Sequence, residues 1–158
     1  MTPHYADWPL GGRLPFKPVR LLLAYDDAGG LCARVVPRMK DMLEQRAFEV
    51  DVHVLGADPP DLEGYKGVVL GTPVLGAGLR RRGASASALR FVESADALDE
   101  RKLALFSVFR AWPGRALEEL RAAADARGVP VVVDYAYWSY APEQGEHIVP
   151  AECMVRIR

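Results

Sequence analysis

Tyr65-Lys66-Gly67-Val68-Val69-Leu70-Gly71-Thr72-Pro73-Val74-Leu75-Gly76-Ala77-Gly78 is the stretch on which the fold turns. Gly67 to Leu70 is short, rich in valine and leucine, and shows no polar alternation, which predicts a parallel strand buried on both faces. Gly71-Thr72-Pro73 is expected to end that strand abruptly in a loop. In open parallel sheets, ligands gather outside the carboxyl ends of such strands. A binding loop is therefore expected from Thr72 onward.

The flanking segments extend the same pattern. Val19 to Tyr25 reads as a buried first strand, and Asp26-Asp27-Ala28-Gly29-Gly30 as the turn after it. From Leu31 to Arg46, Leu31, Val35, Met39 and Leu43 recur at helical spacing, with Pro37 standing against a continuous helix unless its start lies later. Phe48 to Leu55 alternates apolar and polar residues, as an edge strand does, which places His53 on the solvent side. Asp58 to Glu63 is too short for a crossover helix. Beyond the Gly-Thr-Pro segment come a helix over Ser85–Leu98, a strand over Lys102–Phe109, a helix over Pro113–Arg127 and a strand over Val129–Tyr135. Pro142 to Arg158 contains Pro150 and an alternating Cys153 to Ile157, so it reads as extended. The sum is an α/β doubly wound sheet of five mainly parallel strands in the order 2-1-3-4-5, with helices on both faces and an atypical extended C-terminus. Residues 1–18 form an irregular extension and 19–158 a single domain.

Composition narrows the function classes. The chain has 158 residues, half of them hydrophobic, which is one domain with a sizeable core. A net charge of -1 gives no general attraction to nucleic acid. No apolar run reaches the roughly 18 residues of a spanning helix, and Met1 to Lys17 lacks the apolar stretch of a signal peptide, so a cytoplasmic protein without a membrane span is expected. Cys32 and Cys153, with His4, His53 and His147 scattered, signal neither a disulfide framework nor a metal site; two buried reduced thiols are expected.

Three segments together carry a family resemblance. Val19 to Met39, Leu62 to Gly78, and Leu105 to Gly128 with its Phe106-Ser107-Val108-Phe109-Arg110-Ala111-Trp112-Pro113-Gly114 core fall where flavodoxins and flavodoxin domains carry their three FMN loops. Over about Val19 to Tyr135 the chain resembles that family. The resemblance implies FMN as cofactor and electron transfer to a protein redox partner, with no catalytic acid, base or nucleophile. It assigns cofactor contacts to Asp26, Asp27, Gly29, Gly30 and Leu31 in the first loop. In the second it points to Thr72, Pro73, Val74, Leu75 and Gly76, and in the third to Ser107, Phe109, Trp112 and Gly114.

The first loop departs from the family pattern. Flavodoxins hold the FMN phosphate with a loop of the form Ser/Thr-x-Thr-Gly-x-Thr, whereas this chain reads Asp26-Asp27-Ala28-Gly29-Gly30-Leu31, without a hydroxyl and with two carboxylates at the mouth. The amides of Gly29, Gly30 and Leu31 remain available to an anion only if both carboxylates turn away. Alternatively, the aspartates cap the following helix. The acidic pair also resembles that of receiver domains, but Gly71-Thr72-Pro73 stands where their acceptor aspartate belongs, and Asp134-Tyr135 where their lysine belongs. Cys32 beside the pair reads as a core residue.

A second function stays open beside electron transfer: a cofactor-free interaction or assembly subunit. Its contacts would be Arg80-Arg81-Arg82 and the aromatic run Tyr135, Tyr137, Trp138 and Tyr140, the latter also a route to a homo-oligomer.

Overall fold

A computed structural model describes residues 17–56, 58–74 and 83–157. The sheet is built from β1 (Val19–Tyr25), β2 (Phe48–Val54), β3 (Gly67–Pro73), β4 (Lys102–Phe109) and β5 (Val131–Trp138). All pairings are parallel, in the order β2-β1-β3-β4-β5. Helices α1 (Val36–Gln45), α2 (Ala86–Ser94), α3 (Ala116–Ala126) and α4 (Ile148–Arg156) cover the two faces. The apolar runs Leu21 to Tyr25 of β1, Val68 to Leu70 of β3 and Leu103 to Phe106 of β4 follow from this, because a central parallel strand has no solvent face to give to polar residues.

Each face closes its own core. On one, Leu21, Leu23, Val69, Phe106 and Tyr137 pack with Met39 and Leu43 of α1 and with Val149 and Cys153 of α4. On the other, Leu22, Val68, Leu70 and Leu105 pack with Phe91 and Val92 of α2 and with Leu120 and Ala124 of α3. Both thiols, Cys32 and Cys153, are free and buried, as expected. Burial pushes Cys153 up to about 12 and, with Asp26 and Asp27 adding to it, pushes Cys32 far above the ordinary thiol range.

Several elements differ from the sequence reading. The first helix starts at Val36, not Leu31, with Pro37 in its first turn, where a missing amide breaks no helical bond. The residues before it form two short 3-10 turns, Ala28–Gly30 and Cys32–Arg34. β3 does not end at Leu70. Gly71, Thr72 and Pro73 stay in register with Phe106, Ser107 and Val108 of β4, and Pro73 is tolerated because it is the strand's last residue. α2 stops at Ser94, with Leu98–Glu100 a separate short turn, while β5 runs on through Tyr137 to Trp138.

The largest correction concerns the C-terminus, which is helical rather than extended. Val149, Pro150 and Cys153 form a buried helical stripe, continued at Ile157, and Pro150 falls in the first turn of α4, where it does not break the helix. α4 packs on β5 and α1 and covers that face of the sheet.

The connection from β2 to β3 carries no helix among the described residues, as its short length implied. Side chains close this corner instead. Tyr65 donates its hydroxyl to Asp51 at 2.6 Å, Arg20 donates to the same carboxylate oxygen at 2.9 Å, and the Arg20 guanidinium lies 4.7 Å from the Tyr65 ring centre. His53, expected to face solvent, is half-buried, and its Nε2 is shielded without a hydrogen-bond partner. No helix among the described residues is long and apolar enough to cross a membrane.

Candidate functional site

Because the strands are all parallel and β1, β3 and β4 are neighbours, the segments after Tyr25, Pro73 and Phe109 leave the sheet at one edge. The strand ends there are held close. Asp26 donates its amide to Gly71 at 3.2 Å, and Val74 donates to Val108 at 3.0 Å. Gly71 is required at the centre. A Cβ at that position would lie 2.2 Å from the Phe106 ring, so only glycine lets β4's aromatic side chain sit against β3.

The three candidate loops divide into buried and accessible residues. Thr72 and Ser107, cross-strand partners, are both fully buried. Thr72 turns toward α2: its Oγ1 accepts the Ser85 amide at 2.9 Å and donates to the carbonyl of Pro73 at 3.1 Å. The Ser107 hydroxyl has no partner. Pro73, Val74 and Leu31 are buried too, while Phe109 is half-buried. Exposed at the edge are Asp27, Gly29, Gly30, Trp112 and Gly114, with Trp112 65% exposed. Leu75 and Gly76, like Arg80, Arg81 and Arg82, lie outside the described residues.

The acidic pair splits. One oxygen of Asp26 accepts the Ala28 amide at 2.7 Å, closing a turn over its own loop. The other accepts the hydroxyl of Ser87, in the first turn of α2, whose cap Ser85 accepts the Ala88 amide at 3.3 Å. Burial by itself would raise the Asp26 carboxyl, but the bonds from Ser87, the Ala28 amide and Ser85 outweigh it and hold the group below the usual carboxylate range. Asp26 therefore faces α2 and complements its N-terminal dipole, not the helix that follows it in sequence. Asp27 makes no side-chain cap bond and stands exposed.

A phosphate does not fit the turn that remains. Its backbone belongs to short 3-10 turns rather than to the start of α1, Ala28's amide is taken by Asp26, and Gly30's amide is taken by the Asp27 carbonyl at 3.0 Å. Gly29 and Gly30 both have positive φ, near 69° and 66°, which explains the glycine pair as a backbone requirement of the turn. Trp112 offers an aromatic ring to solvent at this edge. Among the described residues no three His, Cys, Asp or Glu side chains converge to hold a metal ion.

Sequence reasoning missed the role of Ser87. No local signal reveals a partner 61 residues away. It also placed Trp138 after the last strand. Instead, Trp138 ends β5, donates its indole N–H to the Arg110 carbonyl at 2.9 Å and meets Tyr140 edge-on at 5.6 Å. Arg34 reaches the same corner, donating to the Ser139 carbonyl at 3.4 Å with its guanidinium 6.0 Å from the Tyr140 ring.

No protein-family model matches the chain, and no curated protein matches it significantly. Solved structures do. Flavodoxin 1 from Bacillus cereus aligns over 87% of this chain and 97% of its own at 20% identity, with a TM-score of 0.68. Two-electron reduced Megasphaera elsdenii flavodoxin aligns over 85% and 98% at 15% identity, with a TM-score of 0.69. The Fusobacterium nucleatum flavodoxin bound to flavin mononucleotide aligns over 72% and 68% at 15% identity, with a TM-score of 0.56. The fold is flavodoxin-like.

Proposed function

We propose that the chain is a flavin-binding electron-transfer protein, taking FMN or a related flavin at the edge where β1, β3 and β4 end. The observation that carries this reading is Trp112, whose ring is 65% exposed in the loop after β4, at the edge where open parallel sheets bind their ligands. A bound flavin accepts and donates electrons; that chemistry belongs to the cofactor. The chain's share is to stack Trp112 on the ring, to present the backbone of Thr72, Pro73 and Val74 along one rim, and to close the far side with Phe109 and the turn at Gly114. Leu75, Gly76 and the other first- and third-loop candidates belong to the same proposal. Thr72 and Ser107 would act from beneath, by fixing strand ends, since both side chains are buried. A protein redox partner would dock over the exposed ring edge.

The second reading, a cofactor-free interaction subunit, draws on Trp138 and Tyr140, which are 47% and 64% exposed beside Arg34. Titration with FMN, followed by flavin absorbance and fluorescence, separates the two. The flavin reading expects saturable binding with a dissociation constant in the micromolar range or tighter, weakened by Trp112→Ala without loss of fold. Absence of binding up to about millimolar FMN would leave the interaction reading.

A further inference from the structure

We infer that this edge, taken as the flavin site proposed above, reads the flavin ring and not its phosphate, so that riboflavin binds no more weakly than FMN. The inference rests on that proposal and on four observations at the first loop. First, the loop has no hydroxyl between Asp26 and Leu31. Second, two of its amides are already committed. Ala28 donates to Asp26 at 2.7 Å and Gly30 to the Asp27 carbonyl at 3.0 Å, whereas a phosphate cradle needs several such donors converging on one point.

Third, the helix dipole that would favour an anion is displaced. α1 begins at Val36 with Pro37 in its first turn, and the turn at Ala28–Gly30 is separated from it by a second turn at Cys32–Arg34. The helix that does open at this edge, α2, already holds an anion: the Asp26 carboxylate, bonded to Ser87 in its first turn. Fourth, the Asp27 side chain is exposed at the mouth. A phosphate monoester carries about -1.5 to -2 at neutral pH, so an aspartate there opposes it. The cation that follows the turn, Arg34, is turned away to the Ser139 carbonyl and the Tyr140 ring.

These features subtract from FMN affinity and leave ring contacts untouched. A unit-charge pair about 4 Å apart in water changes an equilibrium by a factor of about five. The test is a pair of titrations, FMN and riboflavin, on the wild-type chain and on Asp27→Ser. Expected is a riboflavin dissociation constant equal to that of FMN or lower by up to about tenfold, with Asp27→Ser tightening FMN about fivefold relative to riboflavin. Added salt should narrow the gap between the two flavins. FMN binding tenfold or more tighter than riboflavin would overturn the inference while leaving the flavin proposal standing. Binding of neither flavin would overturn both.

Discussion

Ser87, in the first turn of α2, donates its hydroxyl to the carboxylate of Asp26, the residue that follows β1. Two consequences follow. The carboxylate stabilises the start of a helix on another part of the chain, and it is withdrawn from the mouth of the first loop. One acidic residue thus joins a central strand to the helix that covers its neighbour.

Breaking this link should cost stability in a pH-dependent way. Asp26→Asn keeps the shape and removes the charge, and a charge-assisted bond to a partly exposed group is worth about 1–2 kcal/mol. The Asp26 carboxyl lies below its ordinary range when folded because the bonds from Ser87, Ala28 and Ser85 overcome burial. Its contribution is therefore fully present above the unfolded value of about 3.9 and is lost as pH falls through the lower folded value. Urea unfolding near neutrality should show Asp26→Asn less stable than wild type, with the gap closing as pH falls below the unfolded value of about 3.9. Ser87→Ala should be partly redundant with it. A double variant as costly as the sum of the two singles would mean that the two groups do not act together.

At the centre of the same edge, Gly71→Ala tests a contact that only glycine allows. The added methyl would fall 2.2 Å from the Phe106 ring, itself fully buried. Overpacking of this kind costs about 1–3 kcal/mol. Phe106→Leu removes the clashing ring at its own cost, so the double variant should be more stable than the sum of the single losses predicts. Simple additivity, measured by denaturant midpoints, would refute the clash.

Both cysteines should be inert in the folded protein. Cys32 and Cys153 have no exposed surface, and burial, helped at Cys32 by two aspartates and at Cys153 by Glu152, pushes both thiols up. The reactive form is the thiolate, so at about pH 8 an aromatic disulfide reagent should modify neither until the chain unfolds. One thiol reacting at the rate of a free cysteine would show that its surroundings open far more often than the core does.

The sheet was legible because each strand carries its own signal. The runs Val19 to Tyr25 and Lys102 to Phe109 are mostly apolar and match the observed bounds, and the missing crossover helix showed as a short gap. Helix starts were harder. Pro37 flagged the conflict in the first helix, but only the 3-10 turns before it resolve where the helix begins. α4 was misread because proline and a short alternating run are local cues, whereas its helicity depends on burial against β5 and α1. At the site, the sequence marked Trp112 and the odd acidic loop, both of which stand at the edge in question. It did not show that Asp26 turns to Ser87, or that Thr72 and Ser107 point inward, because those depend on which face of the sheet each residue meets.

Tyr137 gives a direct test of how the C-terminal helix is held. Its ring is fully buried, edge-on to Phe106 and Tyr135 at 6.1 and 4.8 Å, and its hydroxyl accepts the Val149 amide at 3.2 Å, at the start of α4. That amide has no partner within the helix, since the first turn of any helix leaves its N–H groups free. Tyr137→Phe keeps the packing and removes the acceptor, leaving a buried donor unpaired at a cost of about 1–3 kcal/mol. The melting temperature should fall by about 2–12 °C for a domain of this size. Amide exchange should accelerate in α4 before it does in β4, since the loss is local to the helix start. Tyr140→Phe, at a ring 64% exposed, should leave both readouts unchanged. A Tyr137→Phe protein as stable as wild type, with α4 equally protected, would mean that the helix is anchored by the packing of Val149, Cys153 and Ile157 alone.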